Sequence, residues 1–321
     1  MMPYKKIALV ILITLILLKV CDIFFEKGYR NFYEPYFEKM DFVLKDTSYN
    51  DVIYLGNSRA NFGINPYFID SICKTKSYNI GLGGGDIALS LFFLEAYLQK
   101  HKAPKNVVLT YDYRIFQLRN KSPLTPMFFY YIKNTLVKQQ VKRFGYHAEF
   151  LEFFPYLKYC FFNDYDRTCI AKGLNGKSSA DETKLKNIDK HTYEWRGFFN
   201  YQVKQLNLSD NNDTTISSIE TEAVKIMDRL INICKQNNSD VIFIYPPQYH
   251  NGGLIPKNIA DENMAIENMI LSICSKNNFK IKRFDGPGFL PEDFTDADHV
   301  NIKGAGKYSG MLGNYLKTIL Q

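Results

Sequence analysis

Short apolar runs closed by Gly, Pro, Asn or Asp, each followed by a longer segment of helical periodicity, recur along most of this chain. No other feature narrows its folds so far. The predicted strands are 51–55, 77–82, 106–111, 240–245 and 279–284; the predicted helices are 86–101, 216–237, 258–276 and 304–320. Two stretches, INICKQNNSDVIFIYPP (231–247) and LSICSKNNFKIKRFDGP (271–287), repeat one pattern of helix end, Asn-Asn turn and proline-closed strand. This rhythm describes an α/β fold, a flavodoxin-like parallel sheet sandwiched by helices, rather than a repeat array.

The N-terminus follows another rule. Lys5-Lys6 precede an apolar run from Ile7 to Leu18, and extension through Lys19 to Phe25 gives the roughly 20 residues needed to cross a bilayer. Lys19 can snorkel, and Phe24-Phe25 suit the interface. Lys19-Val20-Cys21-Asp22 is a poor cleavage site, so residues 1–27 are expected to form an uncleaved anchor. With Lys5-Lys6 inside, the remaining chain would be extracytoplasmic. The aromatic and charged residues 28–44 read as a juxtamembrane stalk, and 45–321 as the α/β domain.

Within that domain residues 117–213 break the rhythm, first aromatic and helical, then polar. They read as an insertion after the third strand. Its aromatics are first of all core, and its root beyond a strand's carboxyl end also suits a lid or substrate wall. The net charge of +7 is scattered, which argues against a nucleic-acid partner and fits an anionic membrane or glycan. Six cysteines at irregular spacing make no disulfide framework, although Cys160 and Cys169 are close enough to pair in an oxidising compartment. No CxxC, HExxH or His/Cys pair at metal spacing occurs, so neither metal nor cofactor is expected.

Three strand ends carry unusual residues. The first strand runs into Gly56-Asn57-Ser58-Arg59, the second into a glycine cluster at 81–85, and FTDADHVNIKGAGKYS (294–309) follows the fifth. Each has a bland reading. Ser58 after a strand can be a turn or cap residue, the glycines a tight turn, and Asp296-Ala297-Asp298-His299 a solvated loop. The combination is sharper. A serine nucleophile needs a base, the base an orienting acid, and the oxyanion backbone donors. Ser58, His299, Asp296 and the glycine loop supply one of each on the same sheet edge. His250, in PPQYHNGG, is a rival base without a nearby acid and a candidate for the cleft wall; His101, His147 and His191 read as structural.

This set resembles the SGNH (GDSL-type) hydrolase family over about 45–116 and 214–321. The family's Gly-Asp-Ser is matched by Gly56-Asn57-Ser58, its oxyanion glycine by Gly84 (or Gly83), and its Asp-x-x-His by Asp296 and His299. The resemblance implies Ser58, Asp296 and His299 as catalytic, with the N–H groups of Ser58 and Gly84 as oxyanion hole. The family's third block supplies an Asn to the oxyanion; here the third strand ends TYDYRIF with Asp112. An ionised carboxylate cannot donate, so Asn57, Arg114 or backbone N–H groups would substitute. Asn57, Arg59, Asp112, Arg114 and His250 are the expected substrate-binding residues.

The resemblance extends to anchored envelope proteins of the D-alanine transfer and alginate O-acetylation kind, which often lack that Asn. It implies an esterase or O-acyltransferase, acetyl before long acyl, acting on envelope carbohydrate and working with a membrane-bound O-acyltransferase. Two other readings remain: a lipid esterase, with the aromatic insertion holding a chain, and a non-catalytic partner of an acyltransferase.

Overall fold

The computed structural model describes residues 3–119, 124–179, 188–203, 206, 220–249, 257–286 and 288–320. The chain forms two compact units, Met1–Phe37 with Asn120–Glu182, and Glu38–Arg119 with Thr183–Gln321.

The second unit is built on a five-stranded sheet of β1 (Val52–Leu55), β2 (Ser77–Asn79), β3 (Asn106–Thr110), β6 (Asp240–Tyr245) and β7 (Lys280–Arg283); a separate hairpin pairs β4 (Glu194–Trp195) with β5 (Phe198–Phe199). All pairings in the large sheet are parallel, in the order β2-β1-β3-β6-β7. This is the flavodoxin-like arrangement, in which the winding reverses between β1 and β3 and opens a crevice at their carboxyl ends. Val52–Leu55, Val107–Leu109 and Val241–Tyr245 are wholly buried, as a sheet covered on both faces requires. On one face the helix Ile302–Lys317 presents Tyr308, Leu312 and Leu316 at helical spacing to Val52, Tyr54, Val108, Ile242 and Ile244. Each large apolar side chain so buried contributes roughly 1.5–3 kcal/mol relative to exposure.

Most predicted strands agree to a residue, but β2 stops at Asn79 rather than 82. Asn79 Oδ1 accepts from Gly81 N at 2.9 Å and Nδ2 donates to the carbonyls of Ala60 and Ile64, which turns the chain out of the ladder. Two short helices, Ser58–Gly63 and Pro66–Cys73, follow β1 and were not anticipated. The polar tail of the expected insertion includes the β4–β5 hairpin. Arg196 and Gly197 both have positive φ in its two-residue turn, and Gly197 lies so close to the Asn79 carbonyl that a Cβ would meet it at 2.1 Å.

The first unit centres on the helix Pro3–Phe32, whose stretch Tyr4–Phe32 is long and apolar enough to cross a membrane. Residues 28–44, expected as a stalk, are helical, in the end of this helix and in Glu34–Lys45. Tyr29 and Phe32 are buried. The helices Thr125–Phe128, Thr135–Arg143, Ala148–Phe153 and Asp164–Leu174 complete the unit. Asp164–Leu174 packs on the long helix through Gly173, where a Cβ would lie 1.8 Å from the Gly28 carbonyl oxygen. Cys160 and Cys169 are both free thiols; Cys169 is buried with Sγ 3.6 Å from the Tyr33 hydroxyl, while Cys160 is exposed.

Candidate active site

β1 ends at Leu55, and Gly56, with φ +145°, turns the chain sharply. A Cβ there would stand 1.9 Å from Thr110 Oγ1 of the adjacent β3, so only glycine lets the turn sit against that strand. Asn57 then caps the helix Ser58–Gly63, its Oδ1 accepting from Arg59 N at 2.9 Å. Ser58, the first residue of this helix, is half-buried at the carboxyl edge of the sheet.

Facing it is the loop before the last helix. Ser58 Oγ and His299 Nε2 are 2.8 Å apart, and His299 Nδ1 is 2.9 Å from both Asp296 carboxylate oxygens. With the ring proton on Nδ1, Nδ1–H donates to Asp296 and Nε2 accepts from the Ser58 hydroxyl. Asp296 Oδ1 also accepts the N–H groups of Asp298 and His299, so the Asp-x-x-His spacing closes a turn that aims the carboxylate at its own imidazole. Burial pushes the Asp296 carboxyl up. The hydrogen bond and charge of His299, with the two N–H donors, outweigh this and hold it below the usual carboxylate value.

The glycine loop lies against the same turn. Leu82 N donates to the Gly56 carbonyl at 3.0 Å, and a Cβ on Gly85 would stand 3.6 Å from Asn57 Cα. Gly84, half-buried, has φ +69°. Among the described residues, neither Gly84 N–H nor Ser58 N–H donates to a protein acceptor. Asp86 caps the next helix through Leu89 N at 2.8 Å.

Three of the five expected substrate-binding residues turn inward. Asn57, Arg59 and Asp112 are all at least 96% buried and bind one another. Asn57 Nδ2 donates to both Asp112 oxygens at 3.0 Å, and Arg59 Nη1 lies 3.1 Å from Asp112 Oδ2. Arg59 Nη2 donates to the carbonyls of Pro246 and Pro247 at 2.8 and 2.9 Å, and the guanidinium covers the Tyr245 ring. Asp112 further caps the 3₁₀ turn Tyr113–Phe116 through Ile115 N. These side chains form a polar knot under the Gly56–Ser58 turn and present nothing to a substrate. Asn57 therefore does not replace the family's oxyanion Asn either. Arg114 is 2.7 Å from Asp298 Oδ2, and Asp298 Oδ1 accepts from Gln248 Nε2 at 2.9 Å, so both flank the His299 loop. His250 lies outside the described residues. His101 is structural, its two ring nitrogens on the carbonyls of Ser48 and Phe42.

Three supports of the site went unread in the sequence. Asn200 Nδ2 donates to the carbonyls of Phe62 and Val300, joining the helix Ser58–Gly63 to the residue after His299. The Phe62 ring stands edge-on to His299, centroids 5.9 Å apart. Lys39 is fully buried with Nζ on Asn61 Oδ1 and on the Gly81 carbonyl, which ties the helix Ser58–Gly63 to the glycine loop. Burial, only partly opposed by the charge of Glu38, depresses its pKa well below that of a free lysine. A separate groove of about 560 Å³, bordered by Glu38, Asp41, Lys45, Lys76 and Arg196, includes no member of the Ser58 cluster.

Neither a protein-family model nor a curated protein matches the chain by sequence. Solved structures to which it is similar include one described as a platelet activating factor from Streptococcus pneumonia (9% identity, TM-score 0.43, covering 94% of this chain and 99% of that one). Others are an acetyl xylan esterase from the rumen bacterium Butyrivibrio proteoclasticus (12%, TM-score 0.37, 84% and 63%) and a GDSL-like lipase from Bacteroides thetaiotaomicron (11%, TM-score 0.35, 84% and 88%). At these scores the likenesses place no residue and assign no activity.

Proposed function

We propose that the chain is a serine esterase or O-acyltransferase of the SGNH kind. The observation that carries this is the continuous hydrogen-bonded line Ser58–His299–Asp296 at 2.8 and 2.9 Å, at the carboxyl edge of a parallel sheet. In the reaction, His299 takes the Ser58 proton as Oγ attacks an ester carbonyl, and Asp296 stabilises the imidazolium. The N–H groups of Ser58 and Gly84 receive the oxyanion. His299 returns the proton to the leaving alkoxide, leaving an acyl-Ser58 ester. Water or a sugar hydroxyl, deprotonated by His299, then accepts the acyl group.

The anchor-like first helix, with Lys5-Lys6 ahead of it, supports an extracytoplasmic site acting on envelope carbohydrate, with acetyl as the acyl group and a membrane-bound O-acyltransferase as partner. One observation favours a second reading, a catalytically weak binding partner. Asp112 stands where the family places its oxyanion Asn and only accepts hydrogen bonds.

The full chain in detergent, treated with a fluorophosphonate probe and assayed with p-nitrophenyl acetate, separates the two. The esterase reading expects Ser58→Ala to abolish labelling, and Ser58→Ala and His299→Ala each to lose at least about 10³-fold in turnover. Equal reactivity of wild type and Ser58→Ala would remove Ser58 as nucleophile, and inertness of all three would leave the binding role.

A further inference from the structure

We propose that the segment Ala148–Phe161 of the first unit is a monotopic wedge. It sinks Phe150, Phe153, Phe154 and Phe161 into the bilayer leaflet around the chain's own N-terminal helix. The inference rests on reading that helix as a membrane span.

The helix itself marks where the membrane ends. Every side chain from Tyr4 to Cys21 is exposed and mostly apolar, a stretch of about 27 Å at 1.5 Å per residue and so close to the hydrocarbon thickness. Protein cover begins on one face at Asp22, while Ile23, Phe24 and Phe25 stay exposed. Lys158 Nζ sits 2.6 Å from Asp22 Oδ1, the Tyr159 hydroxyl donates to the same oxygen at 2.8 Å, and the Phe25 and Tyr159 rings meet edge-on. From there the chain climbs beside the helix. Tyr29 donates to Asp166 at 3.1 Å, and Asn31 Nδ2 donates to the Gly173 carbonyl at 3.1 Å. Contacts thus run in step from Asp22–Lys158 to Asn31–Gly173, and the segment just before Lys158 lies at the membrane end of the unit.

That segment carries four exposed phenylalanines. Phe150, Phe153, Phe154 and Phe161 are 49%, 78%, 45% and 45% exposed. Phe150, Phe153 and Phe154 form one cluster, with centroids 5.3 Å apart for the 150–154 pair and 4.7 Å for the 153–154 pair. A cluster of phenylalanines left to water is costly on a soluble surface, whereas rings of this kind gather at the boundary of headgroups and acyl chains. The nearby charges do not oppose entry: Glu149 is paired with Lys142, and Glu152 with Lys138 at 2.5 Å. The same segment meets the exposed apolar helix through Tyr159, whose ring lies edge-on to Phe25, so the occupant of the patch is lipid rather than a second protein.

Fluorescence quenching in the full chain tests this. Trp195 is the chain's one tryptophan, so Phe153→Trp in a Trp195→Phe background reports a single position. The protein is reconstituted in phosphatidylcholine vesicles, with and without bromine near the top of the acyl chains. A ring seated about 5–10 Å into the headgroup boundary loses much of its emission to the bromine and shifts to the blue. Leu174→Trp in the same background, at the far end of the helix that climbs away, keeps its emission. Carbonate washing of the same vesicles separates the premises. Release of the chain would overturn the spanning helix and this proposal with it. A carbonate-resistant chain whose introduced indole at 153 is quenched by acrylamide but not by bromolipid would overturn the wedge alone.

Discussion

Asp112 is the residue whose substitution most sharply divides the two ways of reading this site. If it stood at the oxyanion, Asp112→Asn would supply the amide donor that the SGNH pattern has there, and turnover would rise. The packing says otherwise. Asp112 and Arg59 side chains are 2% and 3% exposed and form a charge pair under the Gly56–Ser58 turn. Asp112→Ala removes the counter-ion, two Asn57 contacts and the Ile115 cap, while Arg59 keeps the carbonyls of Pro246 and Pro247 and the Tyr245 face. Breaking one partner of a buried pair costs about 3–5 kcal/mol, and the surviving Arg59 contacts place this one near 3. At about 2–4 °C per kcal/mol, the melting temperature falls by roughly 6–12 °C. Asp112→Asn keeps the shape and the Oδ1 that accepts from Ile115 and Asn57, but sets an amide donor against Arg59 Nη1 and the second Asn57 contact, so about 1–3 kcal/mol is lost, and turnover drops as the turn above it shifts. The decisive comparison is the double variant Arg59→Met/Asp112→Leu. It should be less destabilised than the sum of its singles by at least about 2 kcal/mol, because it strands no charge. Melting by near-UV circular dichroism, with p-nitrophenyl acetate turnover on the same samples, reads both arms. Additive singles, a melting point within about 2 °C of wild type for Asp112→Ala, or faster turnover for Asp112→Asn would refute the argument.

Other residues give equally direct tests. Asp296→Asn leaves the turn but loses the carboxylate, so turnover falls by about 10³–10⁴-fold with little change in KM. The folded carboxyl of Asp296 is held below its unfolded value, so the stability it supplies is complete above about pH 5 and disappears as pH falls through its folded pKa; an acid melting series should show this limb flattened in Asp296→Asn. Lys39 gives a slope of the same sign at the alkaline end: its folded pKa is depressed, the unfolded chain binds the extra proton, and stability rises with pH towards about 10.4 at up to about 1.4 kcal/mol per unit. Urea titrations at alkaline pH should lose that slope in Lys39→Met. Gly56→Ala forces a side chain into positive φ and onto Thr110, so it should cost at least about 1–3 kcal/mol and impair turnover beyond the loss of folded protein; wild-type behaviour would contradict the turn geometry.

What could be read in advance was whatever is local. Strand β6 runs over Asp240–Tyr245 as its apolar run and flanking turns require, and Asp296-x-x-His299 is a contact three residues long. The Asn65-Pro66 pair also held a readable signal, a cap followed by proline at the first helical position, yet so short a helix escapes a periodicity reading. Lys39 left no local trace, because a lysine's burial depends on which distant carbonyl lies above it, here that of Gly81. Asn57, Arg59 and Asp112 show why site residues are harder than folds. Polar residues past the carboxyl ends of strands are expected to face ligand. These three instead face each other, because Leu55 pairs with Leu109 across β1 and β3 and the chain just beyond each strand is thereby brought alongside the other. The crevice where the sheet's winding reverses is thus also where two neighbouring strand ends must satisfy each other's polar groups. A polar residue there belongs to the substrate only if the adjacent strand end has not already taken it. By that test Ser58 is not taken up by the adjacent strand end: its hydroxyl meets His299, which comes not from the neighbouring strand β3 but from the loop ahead of the last helix.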